Sequence, residues 1–281
     1  MNIVRLDEIL YNAKEKNYAV PAFNFYTYEE AYQIVKAAHD LSSPVILMST
    51  NTCVKHLGLE LIVEITRRLS KITNIPVAIH LDHATELPMI FRAMSVGFTS
   101  VMFDGSRLPF EENIKITKMV LQVGRSLKVS VEAEIGRVGN DENGNQLDEV
   151  LTTPEEAKVF FQRTQVDALA VAIGTVHGMQ TQKAVLNIDL AKEISKKVDV
   201  PLVLHGSSGV KDEDMKELIK TNFSKINIGT RLKNVYSRGI IEYTNKHPDE
   251  LSALNIIKEG SKSIYEVVIN KIKLLKSENM A

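Results

Sequence analysis

The segment VAIHLDH, residues 77–83, decides how the chain is read. Its first five residues form a nearly continuous apolar run directly after Pro76, without the polar and apolar alternation of a half-exposed strand. Strands buried on both faces read this way, and they belong to parallel sheets. Working outward, short apolar and β-branched runs recur at 18–23, 45–48, 100–103, 129–133, 168–173, 202–204 and 225–228, which with 77–81 makes eight. Pro44 and Pro201 stand before two more of these runs, as Pro76 does here. Proline is tolerated at a first strand position, where no ladder N–H is required, so the repeated placement suggests equivalent units.

Helical segments lie between the runs. Residues 27–41 carry Ala31, Ile34, Val35, Ala38 and Leu41 on one stripe, and 59–69 carry Leu61, Ile62, Ile65 and Leu69, which predicts two amphipathic helices. Thr27 with Glu30 has capping-box spacing, and Thr153-Pro154-Glu155-Glu156 supplies an N-cap, a first-position proline and acids at the positive helix end. Eight units in 281 residues average about 35 residues each, the size of a βα repeat in an eight-stranded barrel. No Ser/Gly/Pro-rich linker divides the chain. The expected architecture is therefore α/β, a single-domain (β/α)8 TIM barrel over 1–281. An open doubly wound sheet is the alternative, weakened in its dinucleotide-binding form by the lack of an early G-x-G-x-x-G.

Composition excludes other classes. With 44% hydrophobic and 25% charged residues, 14 Gly and 8 Pro, the chain can bury a large core and is neither disordered nor fibrous. Its 34 basic and 35 acidic residues leave a net charge of −1, so no overall field favours nucleic acid or an anionic membrane. The single Cys53 excludes an intramolecular disulfide, and no run of about 18 apolar residues is present to span a bilayer. Residues 1–8 carry Arg5, Asp7 and Glu8 and no apolar signal core, which makes a reducing cytoplasm the expected location.

In such a barrel the active site lies at the carboxyl ends of the strands. Those ends hold His80-Leu81-Asp82-His83, Asp104-Gly105-Ser106, Glu132-Ala133-Glu134, Gly174 through Gly178, His205 through Gly209 and Asn227 through Thr230, with four of the seven histidines among them. His83, His177 and His205 come from three different strand ends, and three neutral imidazoles can hold one divalent metal while leaving a position open. The plainer alternative is three hydrogen-bonded rim histidines. Asp82 reads as a ligand, an orienter of one or a general acid/base, or else as the N-cap of a helix after Thr85. His80 shares the strand face of Asp82 and reads as support rather than a ligand. Asp104 and Glu134 are candidate oxygen ligands or braces of the barrel top.

The turns Gly206-Ser207-Ser208-Gly209 and Asn227-Ile228-Gly229-Thr230 combine glycine with hydroxyls and backbone N–H groups after strands seven and eight, where barrels often bind phosphate. The polar stretch GRVGNDENGNQLD, residues 136–148, reads as a mobile lid over about 136–150. Glu142 near its tip is either a solvated charge or an acid/base delivered on closure.

Taken together, these motifs resemble the class II, metal-dependent fructose/tagatose-bisphosphate aldolase family. The resemblance runs from AVPAFN (19–24) through HLDH (80–83), FDGS (103–106), VEAEIG (131–136), DALAVAIGTVHG (167–178), PLVLHGSSG (201–209) and KINIGT (225–230). It implies cleavage of a ketose 1,6-bisphosphate to dihydroxyacetone phosphate and glyceraldehyde 3-phosphate. It implies His83, His177 and His205 as ligands of one catalytic Zn²⁺ per subunit, with Asp104 and Glu134 near an alternative metal position; a second metal or a monovalent cation is left open. It implies Asp82 as the acid/base at the C4 hydroxyl and Glu142 at the C3 proton. Asn24, Thr50, Gly178, Gly206, Ser207, Ser208, Asn227, Ile228, Gly229 and Thr230 match substrate-holding positions.

Gly229 and Thr50 lean the resemblance toward the tagatose 1,6-bisphosphate type. The stretch 249–260 lacks the arginine that relatives carry for the distal phosphate, so Arg231 or a lysine takes that part, or the aldehyde partner differs, as in the related aldolase of inositol breakdown. Competing readings are a metal-dependent barrel hydrolase, which would not need two phosphate-type turns, and a non-catalytic binding barrel, which would need neither Asp82 nor Glu142. The expected partners are a sugar bisphosphate and a second copy of the chain, as a homodimer or larger homo-oligomer, with no nucleic acid and no membrane.

Overall fold

A computed structural model describes residues 2–140, 146–179 and 181–281. Eight strands, β1 (Val20–Asn24), β2 (Val45–Ser49), β3 (Val77–Ala84), β4 (Ser100–Phe103), β5 (Ser130–Ile135), β6 (Ala168–Val171), β7 (Leu202–Leu204) and β8 (Phe223–Ile228), pair in sequence order. All pairs are parallel, and β1 pairs with β8 to close the barrel. The fold is the expected single-domain (β/α)8 barrel, not an open sheet. The helices are α1 (Leu6–Lys16), α2 (Tyr28–Asp40), α3 (Asn51–Leu57), α4 (Leu59–Ser70), α5 (Leu87–Val96), α6 (Phe110–Leu127), α7 (Pro154–Thr164), α8 (Ile188–Lys197), α9 (Asp212–Leu218), α10 (Thr230–Lys246) and α11 (Ala253–Leu274). Among the described residues no helix is long and apolar enough to cross a membrane.

The period-two alternation of strand side chains divides the core into two layers. Outward residues such as Phe23, Leu47, Ile79, Leu81, Val101 and Val131 join the helices in one large cluster. Inward residues Val20, Ala22, Ile46, Met48, Ala78, Ala168, Ala170 and Val203 pack with Leu6, Ile9, Leu10 and Ala13, so α1 plugs one end of the barrel with apolar side chains. The opposite end, where the strands finish, is left to polar groups.

Both predicted helix starts are present: Thr27 and Thr153 cap α2 and α7 with reciprocal bonds from Glu30 and Glu156. Several boundaries differ from the sequence expectation. Strand β1 begins at Val20 rather than 18 and β6 stops at Val171 rather than 173, while β8 starts earlier, at Phe223. Leu61 is 49% exposed, so the buried stripe of α4 runs through Leu59, Ile62, Val63, Ile65 and Leu69. Helix α3 is not signalled by the hydrophobic pattern; the Thr50 hydroxyl caps it by accepting from Cys53 N at 3.4 Å.

Candidate active site

Strand β3 extends past the apolar run to Ala84, so Asp82 and His83 lie within it rather than after it. Regular alternation puts His80 and Asp82 inside the barrel and would send His83 outward. Instead the β3–β4 register shifts between Leu81 and Ala84, and His83 takes φ 50°, a left-handed conformation uncommon for a side-chain-bearing residue. This bulge brings two successive side chains to one mouth. It holds local backbone strain at the place where the polar groups gather, a frequent property of functional sites. His205 follows β7 two residues after inward-facing Val203 and so also points inside. His177 is set by the connection after β6, where His177 N donates to Gly139 O and Gly139 bridges Val176.

The three histidines meet there. The ring centroid of His83 is 4.5 Å from that of His205 and 5.1 Å from that of His177, and one nitrogen from each lies within 4.8 Å of the others. The outer nitrogens of two rings are taken by carboxylates: His83 Nδ1 lies 2.9 Å from Asp104 Oδ2, and His205 Nε2 lies 3.0 Å from Glu132 Oε1. The inner His83 Nε2 and His205 Nδ1 lie 2.8 Å apart, and with the ring protons on the outer nitrogens both inner nitrogens can turn a lone pair to one cation. A carboxylate behind a ligating histidine fixes its tautomer and orientation in metal sites.

Glu134 Oε2 is buried with no hydrogen-bond partner among the described residues, 3.7 Å from His205 Nδ1 and 3.9 Å from His83 Nδ1. Converging imidazole nitrogens beside an orphaned carboxylate oxygen fit a divalent cation. His83, Asp104 and Glu134 form a second group of suitable spacing.

In the metal-free arrangement the cluster is electrostatically frustrated. Burial disfavours charge on His83, but the carboxylates of Asp82 and Asp104 outweigh it and raise its pKa well above the imidazole range. Burial and the neighbouring His83 charge drive His177 down to about 3, and the same causes hold His205 well below its usual value. Glu134 is pushed up to about 8 by burial and by the charge of Asp104. Asp82 goes the other way: burial would raise it, yet the charges of His83 and Lys225 bring it below the carboxylate range. It is therefore an ionised, desolvated carboxylate, braced by Asn24 Nδ2 at 2.9 Å and Asn227 Nδ2 at 3.2 Å.

Beneath the histidines lies a fully buried ion pair. Lys225 Nζ donates to Glu132 Oε2 at 2.7 Å, while Glu132 Oε1 receives His205, so one carboxylate links the lysine to the metal-type cluster. His80, also fully buried, bonds Ser100 and lies 3.4 Å from Lys225 Nζ.

A cavity opens above Asp82 and His83 and collects Asn24, Thr50, His177, Gly178, Gly206, Ser207, Ser208, Asn227, Gly229 and Thr230. Gly206 has φ 65°, and a Cβ there would meet the Val176 carbonyl at 3.1 Å, so the turn after β7 needs glycine to pack against the connection carrying His177. A Cβ at Gly229 would lie 2.6 Å from Asn24 Oδ1, so this glycine leaves room for the amide that braces Asp82. Asn227 Oδ1 is buried at the same place, with no hydrogen-bond partner among the described residues. The chemistry available is metal binding next to a fixed carboxylate base, with neutral turns rich in N–H and O–H groups.

Residues 4–280 match the family model for fructose-bisphosphate aldolase class-II. The chain belongs to this family. Among solved structures it is similar to the YdjI aldolase from Escherichia coli K12, with 31% identity, 99% of each chain covered and a TM-score of 0.85. It is also similar in fold to the fructose-bisphosphate aldolase (Fba) of Campylobacter jejuni, at 23% identity, with 100% of this chain and 97% of that chain covered and a TM-score of 0.87. The chain is thus a class II aldolase, a carbon–carbon lyase by family.

Against that family, most sequence-picked residues share the one mouth. The N-cap alternative for Asp82 fails, because α5 is capped at Glu86 and the Asp82 carboxylate faces Asn24 and Asn227. Asp104 and Glu134 line an adjoining cavity that shares His83 and His177 with the first. The Ile228 side chain is buried in the barrel–helix core, because alternation on β8 turns it away from Asn227, which leaves its backbone to the turn. Glu142 lies outside the described residues, as does part of the expected lid. The sequence pattern assigns no role to Glu132 and Lys225, each a charge in an otherwise apolar run, or to Tyr26 and Lys233, which line the cavity.

Proposed function

We propose that this class II aldolase reversibly cleaves a ketose 1,6-bisphosphate to dihydroxyacetone phosphate and glyceraldehyde 3-phosphate, using Zn²⁺ held by His83, His177 and His205. The observation that carries this reading is the meeting of three histidines with an ionised, amide-braced Asp82 on the wall of one cavity. A bound divalent metal supplies Lewis-acid stabilisation of the negative charge that builds on the ketone-bearing fragment. Asp82 removes the C4 hydroxyl proton as the C3–C4 bond breaks, and the bond's electron pair stays with the three-carbon fragment that retains C1 to C3. On the same reading Glu142 returns a proton to C3. The turns at Gly178, Gly206 to Ser208 and Gly229 to Thr230 hold the dihydroxyacetone phosphate half through neutral donors, with Asn24, Thr50 and Asn227 beside it.

The small Gly229 and the hydroxyl of Thr50 favour tagatose over fructose 1,6-bisphosphate. On the same reading the enzyme works as a homodimer in a reducing cytoplasm, in keeping with the buried Cys53, whose thiol burial pushes up to about 12. Asp82→Ala tests the assignment. Loss of a general acid/base costs about 10²- to 10⁴-fold in kcat, while zinc content measured by atomic absorption stays near one per subunit. Turnover at the wild-type rate in that variant refutes the role of Asp82.

A further inference from the structure

Below the histidines the barrel interior carries charge, where such barrels ordinarily carry branched apolar side chains. His80, Glu132 and Lys225 are fully buried and stand two residues before Asp82, Glu134 and Asn227 on β3, β5 and β8. Each therefore lies one repeat deeper on an inward strand face than a residue of the mouth. Strands β5 and β8 are not neighbours in the barrel, so the 2.7 Å contact between Glu132 and Lys225 crosses its interior. Among the described residues Glu132 is the one carboxylate within ion-pair distance of Lys225 Nζ. Its other oxygen takes His205 Nε2 at 3.0 Å.

A buried ion pair is a poor way to stabilise a core, since well-packed apolar residues of similar volume do as well or better. What the pair does to the ring above it gives a reason for its presence. Asp82, Asp104, Glu132 and Glu134 already gather four carboxylates around the three histidines. Only the charge of Glu132 is matched there by a buried ammonium.

We infer that Lys225 is a positioning residue for the metal: it offsets the charge of Glu132, so that this carboxylate orients His205 without adding its full negative charge to the surroundings of the cation. This role rests on the reading of His83, His177 and His205 as metal ligands. Glu132 keeps the ring proton on His205 Nε2 and so turns Nδ1 to the cation, as carboxylates behind ligating imidazoles do. Left unmatched, the same carboxylate would hold a dication more tightly and reduce the positive charge it offers to a substrate oxygen. Lys225 separates the two effects, keeping the orientation and cancelling the excess attraction.

Zinc affinity at fixed pH, read by competition with a chromophoric chelator, tests this in Lys225→Met, Glu132→Gln and the double variant. Lys225→Met leaves the carboxylate unmatched and is expected to bind zinc at least about tenfold more tightly, since charges inside a protein attract a dication that strongly even at an effective dielectric constant of about 20. Glu132→Gln leaves the ammonium unmatched and is expected to bind about ten- to hundredfold more weakly. The double variant lacks both charges and returns close to the wild-type affinity. A purely structural role would weaken binding in all three. Weaker or unchanged affinity in Lys225→Met, unchanged affinity in Glu132→Gln, or a double variant as weak as Glu132→Gln would each overturn the inference. If Lys225→Met does not fold, the other two variants still decide it. Cobalt loaded in place of zinc keeps its wild-type visible absorption in the double variant, because His205 remains a ligand; an altered spectrum there also overturns the inference. Wild-type protein that binds no zinc overturns it together with the histidine-ligand reading.

Discussion

Replacing Lys225 by Met removes one half of the ion pair under the histidines and keeps nearly the same side-chain length. Lys225 and Glu132 are fully buried and 2.7 Å apart, so the variant leaves a carboxylate in the barrel interior with no cation beside it. Breaking a buried pair in this way costs about 3–5 kcal/mol, far above the 0–1 kcal/mol of an exposed pair. With m about 3 kcal/mol/M in urea, the midpoint of the metal-free protein moves down by about 1–1.7 M at unchanged m. Adding Glu132→Gln removes the stranded charge while the amide oxygen still accepts from His205 Nε2. Neutralised buried pairs are often close to neutral in stability, so the double variant recovers about 2–3 kcal/mol over Lys225→Met. Urea unfolding followed by circular dichroism reads both effects. A Lys225→Met variant within about 0.5 kcal/mol of wild type, or a double variant no better than the single one, refutes the reasoning.

Gly229→Ala forces its new methyl against Asn24 Oδ1, where a Cβ would come to 2.6 Å, and displaces the amide that braces Asp82. Overpacking of this kind costs about 1–3 kcal/mol, and kcat is expected to fall more than KM rises; an unchanged kcat would show that Asn24 does not position Asp82. Metal binding needs neutral imidazoles, and His83 in the metal-free protein is held well above its ordinary pKa of 6.5. Zinc uptake near pH 7 in weak buffer should therefore release a proton from His83, and uptake without proton release would contradict that charge state.

Without metal, stability should fall on both sides of the mildly acidic range. His177, depressed from 6.5 to about 3, binds protons more readily when unfolded, so its contribution is lost as pH falls through that window. Glu134, raised from 4.5 to about 8, and His83, raised above 6.5, bind protons more readily when folded, so theirs is lost as pH rises. A urea midpoint that climbs steadily from pH 5 to 9 would refute the second half.

The barrel was legible because its signals are local. A strand buried on both faces must be apolar throughout, as at 45–48 and 77–81, and the Thr27 and Thr153 caps depend on residues three apart. The identity of the site residues was legible for the same reason, since position after a run marks the barrel mouth. What the pattern hides depends on backbone detail or on distant partners. The bulge that turns His83 inward leaves no mark in VAIHLDH, and alternation alone would have placed it outside. Glu132 and Lys225 are 93 residues apart, so neither shows that the other neutralises it. Ile228 sits within a Gly- and Asn-rich turn motif, yet strand alternation sends its side chain to the core.

The central claim is that the histidine cluster and Asp82 perform metal-dependent aldol cleavage. Its most direct measurement is the rate at which zinc-loaded protein releases dihydroxyacetone phosphate from tagatose and fructose 1,6-bisphosphates, before and after exhaustive chelation and after zinc is restored. The expected result is cleavage, faster with the tagatose isomer, that disappears on chelation and returns with zinc. Cleavage that persists in the fully chelated protein would contradict the account.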